Sequence, residues 1–282
     1  MNRIGIRVKM ETDMKSLEQL KSKKLFLFDI DGTIAVGDTL YEGSAELLAH
    51  IDAIGGKSYF ITNNSTKSGA DYVEKFRTAF GLETTEDQFI TSGYMTLHFL
   101  KENYASKKIF VLGTASFVAE LKKNSLNITE VAEDGIDCVV VAYDSELTYD
   151  KMVQACKALF TSDIPFYGTN PDLCCPIDFG FIPDCGAICD MIAVATDKKP
   201  IYLGKPNKEV VEHCLKASGF AKEETLVVGD RTYTDIACGI NAGVDTCVLF
   251  TGEATPEDMK DTKYPADYQF ENVKELLRNL IS

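Results

Sequence analysis

The chain is short of positive charge: its 282 residues hold 29 Lys and Arg against 43 Asp and Glu, a formal net charge of −14. A surface this acidic repels a phosphate backbone, whose capture rests on Lys and Arg, so nucleic-acid polymers are not expected partners. A small phosphorylated molecule remains compatible, because one local pocket can be positive on a negative protein. Long apolar runs are also missing. The longest are strand-sized, such as Val139–Tyr143, so no membrane span is expected. The stretch holding Arg3, Arg7 and Lys9 lacks the roughly 7–15-residue apolar centre of a secretory signal. Absent, too, is a paired C-x-x-C zinc spacing: the nine cysteines, among them Cys174–Cys175 and Cys185/Cys189, follow no repeat. Free, mostly buried thiols in a reducing compartment are expected, and a cytoplasmic location with them. Internal repeats and low-complexity segments are lacking.

What is present is alternation. Short β-branched or aromatic runs exchange with helical patterns, which predicts βα units and parallel sheet, at a length suited to one large or two moderate domains. Lys24–Ile30 is a continuous apolar run ending at Asp29, as for a strand buried on both faces. A helix is predicted over Gly43–Ile54, a strand over Lys57–Thr62 and a helix over Thr66–Phe80. A second series runs Lys108–Leu112, Ala115–Lys123, Asp137–Ala142, Thr148–Phe160 and Pro165–Gly168, then a helix near Gly186–Thr196 and a strand at Ile201–Leu203. The last portion reads helix Lys208–Ser218, strand Thr225–Gly229, helix Tyr233–Ala242, strand Asp245–Leu249, a charged turn region Gly252–Pro265 and a closing helix Val273–Leu280. The expected fold is α/β, with a doubly wound, Rossmann-like parallel-sheet core.

Four segments follow predicted strands, where ligands of doubly wound sheets bind. In Phe28-Asp29-Ile30-Asp31-Gly32-Thr33, Asp29 at the strand tip can attack phosphorus and Asp31 can reach the leaving oxygen as general acid. Gly32 lets the backbone turn close to an anion. Ile61-Thr62-Asn63-Asn64-Ser65-Thr66 offers hydroxyls, amides and backbone N–H groups, an anion cradle; taken alone it also reads as a helix capped by Ser65. Gly204-Lys205-Pro206 can set one ammonium beside a phosphate and the attacking carboxylate. Val228-Gly229-Asp230-Arg231-Thr232-Tyr233-Thr234-Asp235-Ile236 supplies Asp230, suited to a hard cation, and Asp235 about a helical turn later.

In this order the four segments resemble the signature motifs of the haloacid dehalogenase-type phosphatases, and most closely the NagD-type branch known as 4-nitrophenylphosphatases. That likeness also draws on the inserted Gly168-Thr169-Asn170-Pro171-Asp172. It implies Asp29 as nucleophile, passing through an aspartyl phosphate, and Asp31 as acid and base. Thr62, Asn63 and Asn64 would hold the phosphoryl group and Lys205 would neutralise charge. Mg²⁺ would sit on Asp29, the Asp31 carbonyl and Asp230, with Asp235 supporting the metal site. The resemblance further implies a core of residues 1–82 and 201–282 and an inserted α/β cap of 83–200, from which Asn170 and Asp172 would contact substrate. Asn-Pro-Asp equally well forms a plain turn.

A metal is physically required by such a pocket. Two carboxylates about 4 Å apart repel by roughly 4 kcal/mol at an effective dielectric near 20, a phosphate adds to this, and Lys205 offsets only one charge. A divalent cation on hard oxygens removes the penalty. The related transport ATPases resemble the first motif but carry Thr in place of Asp31, which favours a phosphatase or mutase over an ion pump; hydrolysis of small phosphomonoesters (sugar phosphate, nucleoside monophosphate or aryl phosphate) is the function expected. A phosphomutase or other phosphotransferase, and a phosphate-binding regulator without catalysis, are the alternatives. Whether the chain forms a homo-oligomer is left open.

Overall fold

The computed structural model describes residues 15–177 and 179–282. Residues 1–14, with Arg3, Arg7 and Lys9, lie outside the described residues. The run Leu25–Phe28 is apolar throughout because both of its faces are covered. Leu25 and Leu27 point into one cluster with Tyr59, Ile61 and Val227, while Phe26 and Phe28 point into another with Phe60, Phe76 and Phe89. Thr225–Gly229 and Lys57–Thr62 pair with it in parallel on either side. The six-stranded sheet runs Tyr268–Phe270, Asp245–Leu249, Thr225–Gly229, Leu25–Phe28, Lys57–Thr62, Phe89–Thr91, all parallel. Strand order reverses at Leu25–Phe28, which is the doubly wound, Rossmann-like arrangement expected, and it opens a crevice at the carboxyl ends of the central strands.

A second parallel sheet of five strands runs Ile201–Tyr202, Phe166–Gly168, Ile136–Val141, Lys108–Leu112, Asn127–Thr129. The helices Tyr149–Thr161 and Cys185–Thr196 bury Ala155, Leu159, Ile188 and Ile192 on one face of it. A hairpin, Cys174–Ile177 with Gly180–Pro183, stands out from this unit. Among the described residues no helix is long and apolar enough to cross a membrane. Cys138, Cys185, Cys189, Cys214, Cys238 and Cys247 are buried.

Several elements differ from the sequence reading. Phe89–Thr91 lies within 83–200 yet forms the edge of the first sheet, because Phe89 stacks on Phe60 and Tyr72 at ring separations of 5.1 and 5.4 Å. Ile201–Tyr202 joins the second sheet beside Phe166–Gly168 and not the first. The helix expected from Thr66 begins at Gly69: Ser68 and Asp71 cap each other's backbone N–H, and this reciprocal box fixes the start. Ser65 is therefore not the cap. In the helix expected from Tyr233, the opening turn Thr232–Ile236 is a wide π turn and regular α-helix starts at Ala237.

Candidate active site

Asp29 leaves the tip of Leu25–Phe28 with its amide still donating to the Val228 carbonyl at 2.9 Å. Its side chain thus emerges between two strand ends. Lys205 reaches the same place from the segment after Ile201–Tyr202. The buried Lys205 Nζ donates to Asp29 Oδ1 at 2.6 Å, to Asp235 Oδ1 at 2.6 Å and to the Ile61 carbonyl at 2.8 Å. One ammonium thus ties together two strand ends, at Asp29 and Ile61, and the turn Thr232–Ile236 that carries Asp235. Burial works against that charge, but Asp235 and Asp29 outweigh it and hold the lysine above its ordinary value.

Asp230 completes the cluster. Its Oδ1 accepts from Thr33 Oγ1 at 3.2 Å and its Oδ2 from the Glu253 amide at 2.8 Å. Backbone crowds it on two sides. A Cβ on Gly32, whose φ is +92°, would stand 2.7 Å from Asp230 Oδ2, and one on Gly252 only 2.0 Å from it. Only glycine lets these loops close on the carboxylate. Burial, with the Asp235 carboxylate beside it, pushes Asp230 up to about 6. Burial also lifts Asp29 well above the usual carboxylate range; Lys205 opposes this and the Asp235 and Asp230 charges add to it.

Oxygens of Asp29, Asp230 and Asp235 lie within 4.8 Å of one another. Three carboxylates around one ammonium leave two negative charges in surplus, and burial penalises each. That donor set, all hard oxygen, fits a divalent cation. The three are not equivalent. Asp235 accepts from Lys205 through Oδ1 and from the Arg231 amide through Oδ2 at 3.0 Å, so both of its oxygens are already engaged, whereas Asp29 accepts from Lys205 through Oδ1.

The remaining expected residues fall at different depths. Thr62 and Asn63 are buried at the end of Lys57–Thr62; Asn63 Nδ2 donates to the Lys205 carbonyl at 3.1 Å, while its Oδ1 has no hydrogen-bond partner among the described residues. Asn64 faces its own loop and accepts from Thr66 N and Oγ1 at 2.8 and 2.7 Å. Asp31 lies at the rim with its side chain 46% exposed. Asn170 and Asp172 descend from the second unit and are buried. Asn170 Nδ2 donates to the Asn63 carbonyl at 2.9 Å and its Oδ1 accepts from the Asp172 amide at 3.0 Å, so this amide ties the inserted loop to the anion cradle. The same loop is held by Gly204 N donating to the Thr169 carbonyl at 2.8 Å.

Arg231 follows Asp230 in the fourth motif, where the sequence suggests no role for it. It bridges the two units: Nη1 is 3.7 Å from Asp172 Oδ2 and Nε is 3.0 Å from Glu253 Oε2. Beside it a cavity of about 550 Å³ opens, lined in part by Tyr233, Glu253, Asp258 and Asp261. Thr33, Gly252 and Glu253 also escaped the sequence reading. Thr33 stands inside the first motif, but Gly252 and Glu253 carry no signal beyond a turn.

Comparison with known proteins matches the chain to two family models, haloacid dehalogenase-like hydrolase over residues 26–127 and HAD-hydrolase-like over 202–276. An acid sugar phosphatase of Staphylococcus aureus is 31% identical over 261 residues, covering 93% of this chain and 99% of that protein. The crystal structure of a Thermotoga maritima 4-nitrophenylphosphatase superposes with a TM-score of 0.86 at 35% identity, covering 93% of this chain and 99% of the other. NagD of Escherichia coli K-12 superposes with a TM-score of 0.81 at 30% identity over 90% of this chain and 98% of its own.

Proposed function

Since the chain belongs to the haloacid dehalogenase-like hydrolases, in their NagD-type branch, and is a phosphatase, we propose that it hydrolyses small phosphomonoesters through a phosphorylated Asp29. Sugar phosphates, nucleoside monophosphates and aryl phosphates such as 4-nitrophenyl phosphate are the substrate class, in keeping with the names of its relatives. The observation that carries the reading is the ammonium of Lys205 at 2.6 Å from both Asp29 and Asp235, with Asp230 in the same cluster.

Asp29 attacks phosphorus as the P–O bond to the leaving group breaks, and Asp31 passes its proton to the departing oxygen. Asp31 then takes a proton from water, whose oxygen attacks the phosphorus of the acyl phosphate and returns Asp29 and inorganic phosphate. Thr62 and Asn63 hold the phosphoryl oxygens and Lys205 neutralises charge beside Asp29, with Asn64 shaping the loop that carries the first two. Asp29, the Asp31 carbonyl and Asp230 would hold Mg²⁺, with Asp235 behind them; bound there, the ion offsets the charge of the carboxylates and of the phosphate. The unit of the second sheet acts as a cap, which Asn170 and Asp172 close onto the cradle. Closure excludes bulk water and gates turnover.

Asp29→Asn, assayed for phosphate release from 4-nitrophenyl phosphate with Mg²⁺, is expected to lose activity by at least about three orders of magnitude, as when a covalent nucleophile is removed. Activity retained within tenfold removes Asp29 from this role.

A further inference from the structure

Asp31, about half exposed on a loop, needs something to aim its carboxylate at the leaving oxygen. Among the described residues, the one basic group recorded within 4.0 Å of it is Lys75, at the end of the helix Gly69–Lys75. Lys75 Nζ lies 4.0 Å from Asp31 Oδ1 and 3.9 Å from Asp38 Oδ1. Its side chain is only 12% exposed, unusual for a lysine, and its ammonium sits over the Phe80 ring at 5.5 Å. Asp38 belongs to the small hairpin Ala35–Val36 with Thr39–Leu40, and that hairpin grows from the Asp31 loop through Gly32 N donating to the Ala35 carbonyl at 2.8 Å. Lys75 therefore faces both ends of one short flap.

We propose that Lys75 is a positioning residue for the general acid: it draws the Asp31 carboxylate and the Asp38 hairpin onto the helix Gly69–Lys75, and so sets the direction in which Asp31 presents its proton. This rests on the reading of Asp31 given above. The bond chemistry is unchanged, since the proton still passes from Asp31 to the leaving oxygen as that oxygen parts from phosphorus. What Lys75 supplies is the geometry of the transfer. Phe80 restrains the lysine from one side and the two aspartates from the other, so the ammonium has little freedom to leave. Tyr72, one turn earlier on the same helix, is buried and stacks on Phe89 at 5.4 Å, which fixes the helix that carries Lys75 against the first sheet.

The distinguishing readout is dependence on the leaving group. Nitrophenolate departs without much help, whereas an alkoxide needs a proton. A correctly aimed acid is worth about 10²–10⁴-fold in such steps. In the full-length protein with Mg²⁺, Lys75→Met is expected to lower kcat/KM for glycerol 3-phosphate roughly 10–100-fold, a part of that range, and for 4-nitrophenyl phosphate by less than about threefold. Lys75→Arg restores most of the loss. Lys75→Gln keeps much of the stem over Phe80 and serves should Met unfold the protein, which circular dichroism reports. Equal losses on both substrates, or none, overturn the assignment of Lys75. Asp31→Asn runs in parallel: a selective loss there with no selectivity in the Lys75 variants overturns only the lysine's role. Absence of selectivity in Asp31→Asn itself takes down the reading of Asp31, and this inference with it.

Discussion

Gly252 touches no substrate in the proposed mechanism, yet its replacement should disable the enzyme. The structure gives the reason and the size of the effect. A Cβ at position 252 would lie 2.0 Å from Asp230 Oδ2 and 2.5 Å from its Cγ, where ordinary contact begins at 3.4 Å. The carboxylate or the loop must therefore move by about 1.4 Å. Asp230 cannot move freely, because Thr33 and the Glu253 amide hold its two oxygens. Misplacing a reacting constellation by about 1 Å costs on the order of 10²-fold in rate, so Gly252→Ala is expected to lower kcat/KM about 100-fold. The Mg²⁺ concentration for half activity should rise with it, by roughly the 10–100-fold that loss of a support to a metal ligand brings. Overpacking costs about 1–3 kcal/mol of stability, which the protein should survive. Gly55→Ala is the control. Gly55 has φ +73° and none of the described residues within 4 Å of its would-be Cβ, so it should lose about 1–2 kcal/mol of stability and no activity. Kinetics with a magnesium titration, beside thermal unfolding, separate the two. A Gly252→Ala enzyme within threefold of the parent, folded and with unchanged metal demand, would refute the placement of Asp230 at the metal.

Two further outcomes follow from charges elsewhere in the cluster and the cap. Lys205→Met leaves Asp29 and Asp235 buried without their shared cation, and breaking such a pair costs about 3–5 kcal/mol; unfolding without added metal should show that loss and Mg²⁺ should recover part of it, while a variant as stable as the parent in both conditions counts against the pairing. Asp184 caps the helix Cys185–Thr196, accepting from the Cys185 amide at 2.6 Å, and burial pushes it up to about 6. Its folded value lies above its ordinary one, so the stabilising contribution is complete in acid and is lost as pH climbs from about 4 through about 6. Asn caps as well as Asp, so Asp184→Asn should gain on the parent across that window, by at most about 3 kcal/mol for a shift of some two pH units; a Tm difference that stays flat from acid to neutral pH shows the carboxyl to be solvated.

The parallel core was legible because burial on both faces forces a strand to be apolar along its whole length. Leu25–Phe28 and Leu226–Val228 therefore announced themselves, and the polar residue ending each run marked a strand tip. Phe89–Thr91 did not, for it is three residues long and sits between the polar run Glu86-Asp87-Gln88 and Ser92-Gly93. What holds it in the sheet is stacking on Phe60 and Tyr72, which are distant in sequence. The two units consequently exchange a strand each relative to boundaries drawn at 82 and 200.

The site divides along the same line. Residues placed at strand ends (Asp29, Thr62, Asn63, Asp230) sit where a periodicity changes, and the change of period is itself a signal. Residues that act by filling space are silent. Gly252 matters only through a distance to Asp230, which lies 22 positions earlier, and Lys75 only through a flap that folds back to meet it. Asn170 stands between these cases. Its motif was visible, but its amide spends both ends on the Asn63 carbonyl and the Asp172 amide, and no spacing in one chain reveals which of two polar ends will face a substrate and which will face the backbone. A buried amide satisfied twice by protein has little left to offer a ligand. Asp172 Oδ1 is buried and, among the described residues, accepts no hydrogen bond of good geometry. Of the two inserted residues, it is therefore Asp172 whose replacement by Asn should change the ranking of substrates, and Asn170 whose replacement should loosen the cap for all of them alike.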